Sequence, residues 1–204
     1  LFGDKMKLEQ SMEDLLNPKL LRERLISASL YVLFFEALKD SLIDKLRFYY
    51  CLGSEETQLY RDRVTSRKGS VLYASLDWYK ESGALSDEDL EQFNRIKGCR
   101  NTLSHELHSV IGARGLPEGF NENFSSLLDF THKLDHWWIM NIEVPTDPDF
   151  IGKSVNPEEF TPGSTLLNQM MLQIALGGEE EANQYLKFYE DHKANKQFKS
   201  DSPR

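Results

Sequence analysis

Residues 100–105, which we call the hexad, carry the side chains best suited to chemistry: they follow the pattern R-N-x-x-x-H. A guanidinium can hold a phosphodiester through paired hydrogen bonds, and an imidazole can accept or donate a proton beside it. The spacing of Arg100 and His105 alone is weak evidence for a functional site, because Arg-x4-His arises by chance in roughly one chain in four of this composition. Asn101 supplies much of the specificity, since the full pattern is expected in roughly one chain in a hundred.

The hexad is predicted to lie in the middle of a long helix. The capping-box sequence Ser86-Asp87-Glu88-Asp89 starts this helix, and its apolar periodicity continues to about Ile111. In an uninterrupted helix the polar side chains fall within about 140° of one another, away from the apolar stripe. The members of this polar face are Arg100, Asn101, Ser104, His105 and His108. We therefore predict Arg100, Asn101 and His105 as catalytic residues, with Ser104 and His108 as possible supporting residues.

A solvated helix face is the alternative interpretation of the same pattern. Such a face is usually dominated by Glu and Lys, which are stronger helix formers than Asn, Ser or His. The predicted face has no Glu, and Lys97 is its only nearby Lys. This composition favours a functional surface.

The elements that must position the hexad are all helical. Apolar periodicity predicts helices over about 18–50, 55–80, 86–111, 121–142, 164–176 and 179–192. Asn17-Pro18 is a typical helix start, and Gly69 could kink the second helix. Four long helices joined by short loops predict an all-α fold, an up-down four-helix bundle with a C-terminal helical extension.

This organisation divides the chain into four parts. We expect an N-terminal segment at 1–17, the helical bundle at 18–143, a loop and helical extension at 144–193, and a polar, frayed tail at 194–204. Gly177-Gly178 separates the last two helices, and the acidic residues that follow suit a helix N-terminus.

Charge and composition bound the function classes. The net charge of −9 argues against a broad phosphate-binding surface, although it does not exclude RNA as a substrate. No apolar run is long enough to span a bilayer, and no secretory signal is evident, so we expect a cytoplasmic protein without membrane contact. Cys51 and Cys99 lie in apolar segments without a CxxC partner, which predicts two buried, reduced thiols.

Three other groups of residues could carry function. His132 and His136 have a spacing that can bind metal, with Asp129 one turn earlier. They fall on the middle of a predicted polar face without further ligands, so we expect a solvated pair, no metal and no cofactor. Trp137-Trp138 could stack bases, but aromatic residues at helical spacing more often belong to a core.

A dense basic run is the third group, and it consists of Arg61, Arg63, Arg67 and Lys68. It could track an RNA backbone. The alternative is a solvated face neutralised by Glu55, Glu56 and Asp62.

The R-N-x-x-x-H pattern on the third long helix of an acidic helical bundle resembles the HEPN superfamily (higher eukaryotes and prokaryotes nucleotide-binding). Arg100, Asn101 and His105 match its hallmark of an Arg, a polar residue, three variable positions and a His. The resemblance covers about residues 18–142. It implies a metal-independent endoribonuclease, often a toxin or antiviral defence effector, that acts as a homodimer with two motifs in one cleft. A non-catalytic interaction or nucleotide-binding module is the alternative within the family.

The resemblance also implies roles for the residues. Arg100 would hold the scissile phosphate of an RNA substrate, His105 would act as general acid or base, and Asn101 would orient a hydroxyl or His105. The products would carry 2′,3′-cyclic phosphate and 5′-hydroxyl ends. An antitoxin or regulatory protein is a possible partner. Leu107 stands where family toxins silenced by nucleotide transfer commonly carry a Tyr, which argues against that mode of neutralisation.

Overall fold

The computed structural model describes residues 12–51 and 55–200, and these residues form helices and connecting turns without a β-strand. The predicted all-α class is therefore confirmed. The longer helices are α1 (Pro18–Tyr50), α2 (Gln58–Arg63), α3 (Val71–Glu81), α4 (Asp87–His105), α5 (Phe120–Trp138), α6 (Gly163–Leu176) and α7 (Glu179–Ser200). Short helical turns lie at Thr65–Arg67, Leu107–Ser109, Val110–Arg114, Ile139–Glu143, Val144–Thr146, Pro148–Phe150 and Pro157–Glu159.

Helix α1 is the central element of the fold. Its start matches the prediction, because the Asn17 side chain accepts hydrogen bonds from the backbone N–H groups of Lys19 (3.1 Å) and Leu20 (3.2 Å). Along its length α1 contacts α3, α4, α5 and α6. Its buried stripe supplies the middle of the hydrophobic core, with Ala28, Tyr31, Phe34, Phe35, Leu38, Leu42 and Leu46.

Aromatic side chains fill both ends of this core. Tyr31 packs against Phe120 and Phe124 of α5, with ring centroids 5.4 and 5.3 Å apart. At the other end, Trp138 packs edge-on against Tyr79 at 6.1 Å. The Trp137-Trp138 pair thus belongs to the core, as aromatic residues at helical spacing usually do.

The predicted single helix over 55–80 is wrong, because the chain breaks between α2 and α3. Lys68 is extended (φ −145°, ψ 159°), and α3 begins only after Ser70. Gly69 is a weak helix former, and Arg67 and Lys68 both reach Asp77, at 3.3 and 3.4 Å. These ion pairs hold the turn against α3, so the chain turns where only a kink was expected.

The predicted helix over 86–111 is also shorter than expected. Its capping box is confirmed, since Ser86 and Asp89 exchange side-chain and backbone hydrogen bonds. The helix ends at His105, however, because Glu106 leaves the helical region (φ −116°, ψ 19°). The hexad therefore occupies the C-terminal end of α4 and not the middle of a longer helix.

Tertiary contacts explain this early end. Arg24 of α1 donates a hydrogen bond to the carbonyl of Gly112 (3.3 Å), and Glu106 pairs with Arg114 at 2.5 Å. The first contact joins the segment after α4 to α1, and the second links the start of this segment to its end. Gly115, at φ 75°, then allows the chain to leave this segment in a conformation that side chains disfavour.

The C-terminal extension lies against the rest of the fold. Helix α6 contacts α1 and α5, and α7 contacts α6. Buried Asp135 of α5 joins the two parts, since it pairs with Lys45 of α1 and accepts a hydrogen bond from Ser164 of α6. Helix α7 continues to Ser200, past the expected end at His192, so residues 194–200 are helical and not a frayed tail.

Residues 1–11 and 201–204 of the predicted terminal segments lie outside the described residues, whereas residues 12–16 are helical. None of the helices in the described part of the chain has the length and apolarity needed to span a bilayer.

Candidate functional site

Arg100 is half-buried between α4 and α1. Its guanidinium forms an ion pair with Glu36 of α1 and donates a 3.2 Å hydrogen bond from Nη1 to Oδ1 of Asn101. The guanidinium carbon lies 5.7 Å from the centre of the Phe35 ring, within range of a cation–π contact. Arg100 is thus fixed in position by one aromatic ring, one carboxylate and one amide.

Glu36 gives this position a negative charge. Burial alone would raise the pKa of Glu36, but hydrogen bonds from Lys39 and Arg100 outweigh it and lower the pKa below the usual carboxyl value. Glu36 is therefore ionised at neutral pH and accepts from two cations at once. Lys39 also lies 3.8 Å from Asp40, so a small charged network extends from Arg100 along α1.

The guanidinium of Arg100 has N–H groups that the described contacts do not use. A guanidinium offers five N–H donors, and two of them bind Glu36 and Asn101. The Nε–H group is buried and has no acceptor within the described residues. One further N–H on each terminal nitrogen remains, and 28% of the side chain is exposed. Arg100 can therefore still donate to an oxyanion without giving up its internal partners.

His105 and Ser104 lie at the open end of α4. Both side chains are exposed, and neither makes a hydrogen bond or ion pair to any residue the structure describes. His105 is the last residue of the helix, about 7.5 Å along the axis from Arg100 and rotated from it by about 140°. The helix thus directs Arg100 toward α1 and His105 toward solvent.

This arrangement corrects the polar face that a continuous helix predicts. Arg100 is half-buried against α1 and Asn101 is half-buried beside it, whereas Ser104 and His105 are exposed. His108 does not continue the face, because the helix breaks at Glu106. It lines a separate cleft of about 640 Å³ with the apolar side chains of Leu15, Leu107 and Ile111.

Four cavities of about 340 to 740 Å³ in the described residues are lined by side chains outside the hexad. Ser104 and His105 are exposed, and 28% of the Arg100 side chain is exposed. One chain thus presents a fixed guanidinium and an unpartnered imidazole on an open surface. Such a surface can contact a phosphodiester, but it cannot exclude water from one without a second surface against it.

The His132 and His136 pair has a structural role in the described residues. The rings stack with centroids 5.8 Å apart, Nδ1 of His132 lies 3.1 Å from the Thr165 hydroxyl, and Nε2 of His136 donates to the Pro157 carbonyl at 2.9 Å. His132 is exposed and His136 is half-buried, so the expectation of a solvated pair is correct only in part. The C-terminal extension folds back over α5 and supplies partners that lie 21 and 33 residues away in sequence. No group of three or more potential metal ligands occurs among the described residues.

Two of the four residues of the basic run pair with carboxylates, and these are not the carboxylates that were expected. Arg67 pairs with Asp77 and Glu81, and Lys68 pairs with Asp77. Arg61 donates to the backbone carbonyl of Glu56 at 3.3 Å. Arg67 and Lys68 therefore stabilise the turn between α2 and α3 and are not available to track RNA. Arg63 is exposed and forms no ion pair with a described residue.

Both cysteines are free, and they differ in burial. Cys99 is buried, as expected, and burial raises the pKa of its thiol. Cys51 is only half-buried at the end of α1, so the expectation of two buried thiols is correct for Cys99 alone.

Sequence reasoning missed Glu36 and Lys39 as neighbours of the hexad. Glu36 is 64 residues from Arg100 in sequence, so no local pattern joins them. A signal was present, however, because both charged residues interrupt the longest apolar region of the chain. Charged side chains are seldom buried without a partner, and the partners of Glu36 are Lys39 and the hexad arginine.

Comparison with protein-family models, with curated proteins and with solved structures returns no match for this chain.

Proposed function

We propose that this chain is a metal-independent endoribonuclease of the HEPN type, which acts as a homodimer. In this proposal α1, α3, α4 and α5 form the HEPN-like up-down bundle within residues 18–143. The observation that carries it is the end of α4, where exposed, unpartnered His105 follows Arg100, which Glu36 and Asn101 hold in place. Side chains of these types can stabilise charge on a phosphodiester and transfer protons during in-line cleavage of RNA.

The proposed reaction uses the ribose 2′-hydroxyl as the nucleophile. A general base takes the 2′-hydroxyl proton as that oxygen attacks phosphorus, and a general acid protonates the departing 5′-oxygen. The products are a 2′,3′-cyclic phosphate and a 5′-hydroxyl end. Arg100 donates its remaining N–H groups to the phosphoryl oxygens and stabilises the charge that develops on them. His105 performs one of the two proton transfers.

A second chain completes this site in the proposal. Two proton transfers need two groups, and one hexad supplies one imidazole at the end of α4. The open surface around the hexad also leaves the phosphate in bulk water, where charge stabilisation by a guanidinium is weak. Pairing two copies of this surface supplies the second imidazole and removes the water.

The biological setting that fits the proposal is a toxin or antiviral defence effector in the cytoplasm. Such an enzyme needs a partner that holds it inactive, for example an antitoxin protein, or a trigger that activates it. Exposed Leu107 offers no hydroxyl for nucleotide transfer. In this proposal the partner protein therefore neutralises the enzyme by binding to it.

Cleavage of RNA in the presence of EDTA tests the proposal. The expected result is fragments ending in 2′,3′-cyclic phosphate for the unaltered chain, and a loss of about 100-fold or more for His105→Ala. His192→Ala is the matched control, because it removes another exposed imidazole, from α7. Absence of cleavage in any tested RNA, or equal rates for both variants, would contradict the catalytic proposal.

A second candidate function is a non-catalytic interaction or nucleotide-binding module. The ion pair of Arg100 with Glu36 favours it, because a purely structural arginine makes the same contact. In this case the chain is inert toward RNA. Arg100→Ala then lowers stability or partner binding, and His105→Ala changes neither.

A further inference from the structure

A groove between α1, α5 and α6 has the features of a small-molecule site, and it shares no lining residue with the hexad. Its volume of about 510 Å³ lies in the usual range of ligand pockets. Helix α6, which belongs to the C-terminal extension, closes one side of it with Leu172, Ala175 and Leu176. The groove therefore exists only because the extension lies across α1 and α5.

The floor of this groove contains a polar group without a partner. Ser27 of α1 is only 7% exposed, yet its hydroxyl makes no hydrogen bond to any described residue. The hydroxyl is therefore open to a hydrogen bond from a water molecule or a ligand atom in the groove. Apolar side chains line the same groove, including Phe124 of α5 and Leu172 of α6. The floor thus suits a mainly apolar group that carries one hydrogen-bonding atom.

The mouth of the groove carries one charge of each sign. Lys19 and Glu23 lie one helical turn apart on α1, and both line the groove. Neither forms an ion pair with the other or with any other described residue. Asn121, in the first turn of α5, adds an amide that can donate and accept. Both side chains are exposed. A ligand with one charge can pair with only one of them, whereas a zwitterion can pair with both.

We infer that this groove binds a zwitterionic small molecule with a large apolar group, the chemistry of a free aromatic α-amino acid. Lys19 and Asn121 bind its carboxylate, and Glu23 binds its ammonium group. The aromatic ring lies against Phe124 and Leu172, and a ring N–H donates to the Ser27 hydroxyl. This site is independent of the proposed ribonuclease function.

Three indole compounds test the inference: L-tryptophan, indole-3-propionate, which lacks the ammonium group, and tryptamine, which lacks the carboxylate. Each is titrated into the full ¹⁵N-labelled chain up to about 10 mM, well above the dissociation constant of a modest site. L-Tryptophan is expected to shift the amide resonances of Ser27 and Asn121. Each single-charge analogue is expected to bind at least about fivefold more weakly, since it lacks one charge-assisted contact.

Variants distinguish the groove from general surface binding. Lys19→Met and Glu23→Gln are each expected to weaken L-tryptophan binding at least about fivefold. Ser27→Val is expected to weaken the binding of L-tryptophan more than the binding of an analogue without a ring N–H. Lys187→Met and Glu190→Gln are the matched controls, because they make the same changes on exposed α7, outside the groove. Each variant is checked for an unchanged amide spectrum before titration.

Two results would overturn the inference. The first is the absence of any shift at Ser27 and Asn121 with L-tryptophan at the highest concentration. The second is equal binding of L-tryptophan and indole-3-propionate together with no effect of Glu23→Gln, because the groove would then bind an anion and not a zwitterion.

Discussion

Replacing Glu36 by Gln tests whether the hexad arginine is held by the fold. Exposed surface ion pairs contribute about 0–1 kcal/mol, and hydrogen bonds to charged groups about 1.5–3 kcal/mol. The Arg100 and Glu36 side chains are 28% and 30% exposed, so their charge-assisted hydrogen bond is neither fully exposed nor fully buried. We therefore expect Glu36→Gln to lower the free energy of unfolding by about 1.5 kcal/mol at pH 7.

The pH dependence of this loss has a definite sign. Because the pKa of Glu36 is lowered in the folded chain, its contribution to stability is fully present above the unfolded-state pKa. It declines as the pH falls below the usual carboxyl value of 4.5 and is absent below the folded-state pKa. The stability difference between the unaltered chain and Glu36→Gln should thus be constant at neutral pH and shrink in acid.

Urea denaturation at pH 7, 5.5 and 4 measures the loss of stability in Glu36→Gln and its dependence on pH. Glu91→Gln is the matched control. Glu91 is exposed on α4 and has no described partner, so its change should stay within about 0.5 kcal/mol. A double-mutant cycle with Arg100→Gln isolates the pair itself. Coupling below about 0.3 kcal/mol, or a loss that does not depend on pH, would refute the claim that Glu36 holds Arg100.

Three further changes test the packing. Gly98→Ala should stabilise the chain by about 0.5–1 kcal/mol, because Gly98 lies within α4 with open space around it. Gly177→Ala should destabilise the chain, because a Cβ at this position would lie 2.3 Å from a backbone carbonyl oxygen. Urea titrations measure the free energy of unfolding of both variants. Asp135→Asn should cost about 2–4 kcal/mol and expose α6 to hydrogen exchange, because Asp135 joins α1 and α6. A thiol reagent should label half-buried Cys51 much faster than buried Cys99, whose raised pKa disfavours the thiolate.

Local signals in the sequence predicted most of the helices. The Asn17-Pro18 start and the Ser86–Asp89 capping box formed as expected, because each depends only on residues within one turn. The end of α4 was not predictable in this way. Apolar residues continue the helical period past His105, but the helix breaks at Glu106 and the segment that follows bonds to Arg24 of α1 through the Gly112 carbonyl.

The candidate site could be predicted only in part for the same reason. The pattern of the hexad identified its own residues, but the carboxylate that binds Arg100 lies on another helix. The partners of His132 and His136 likewise come from the segment beyond the proline-containing loop. Interactions between residues distant in sequence decide which side chains of a polar face are held and which remain free.

The activity of mixed dimers tests the central claim, a ribonuclease site built from two chains, most directly. A fixed amount of the unaltered chain is mixed and equilibrated with increasing amounts of His105→Ala, and RNA cleavage in EDTA is measured. If the site needs both copies of His105, cleavage should fall to about a tenth at a tenfold excess, because most unaltered chains then occupy mixed dimers. Cleavage that stays constant as the variant is added would contradict the two-chain site, and no cleavage by the unaltered chain would contradict the ribonuclease itself.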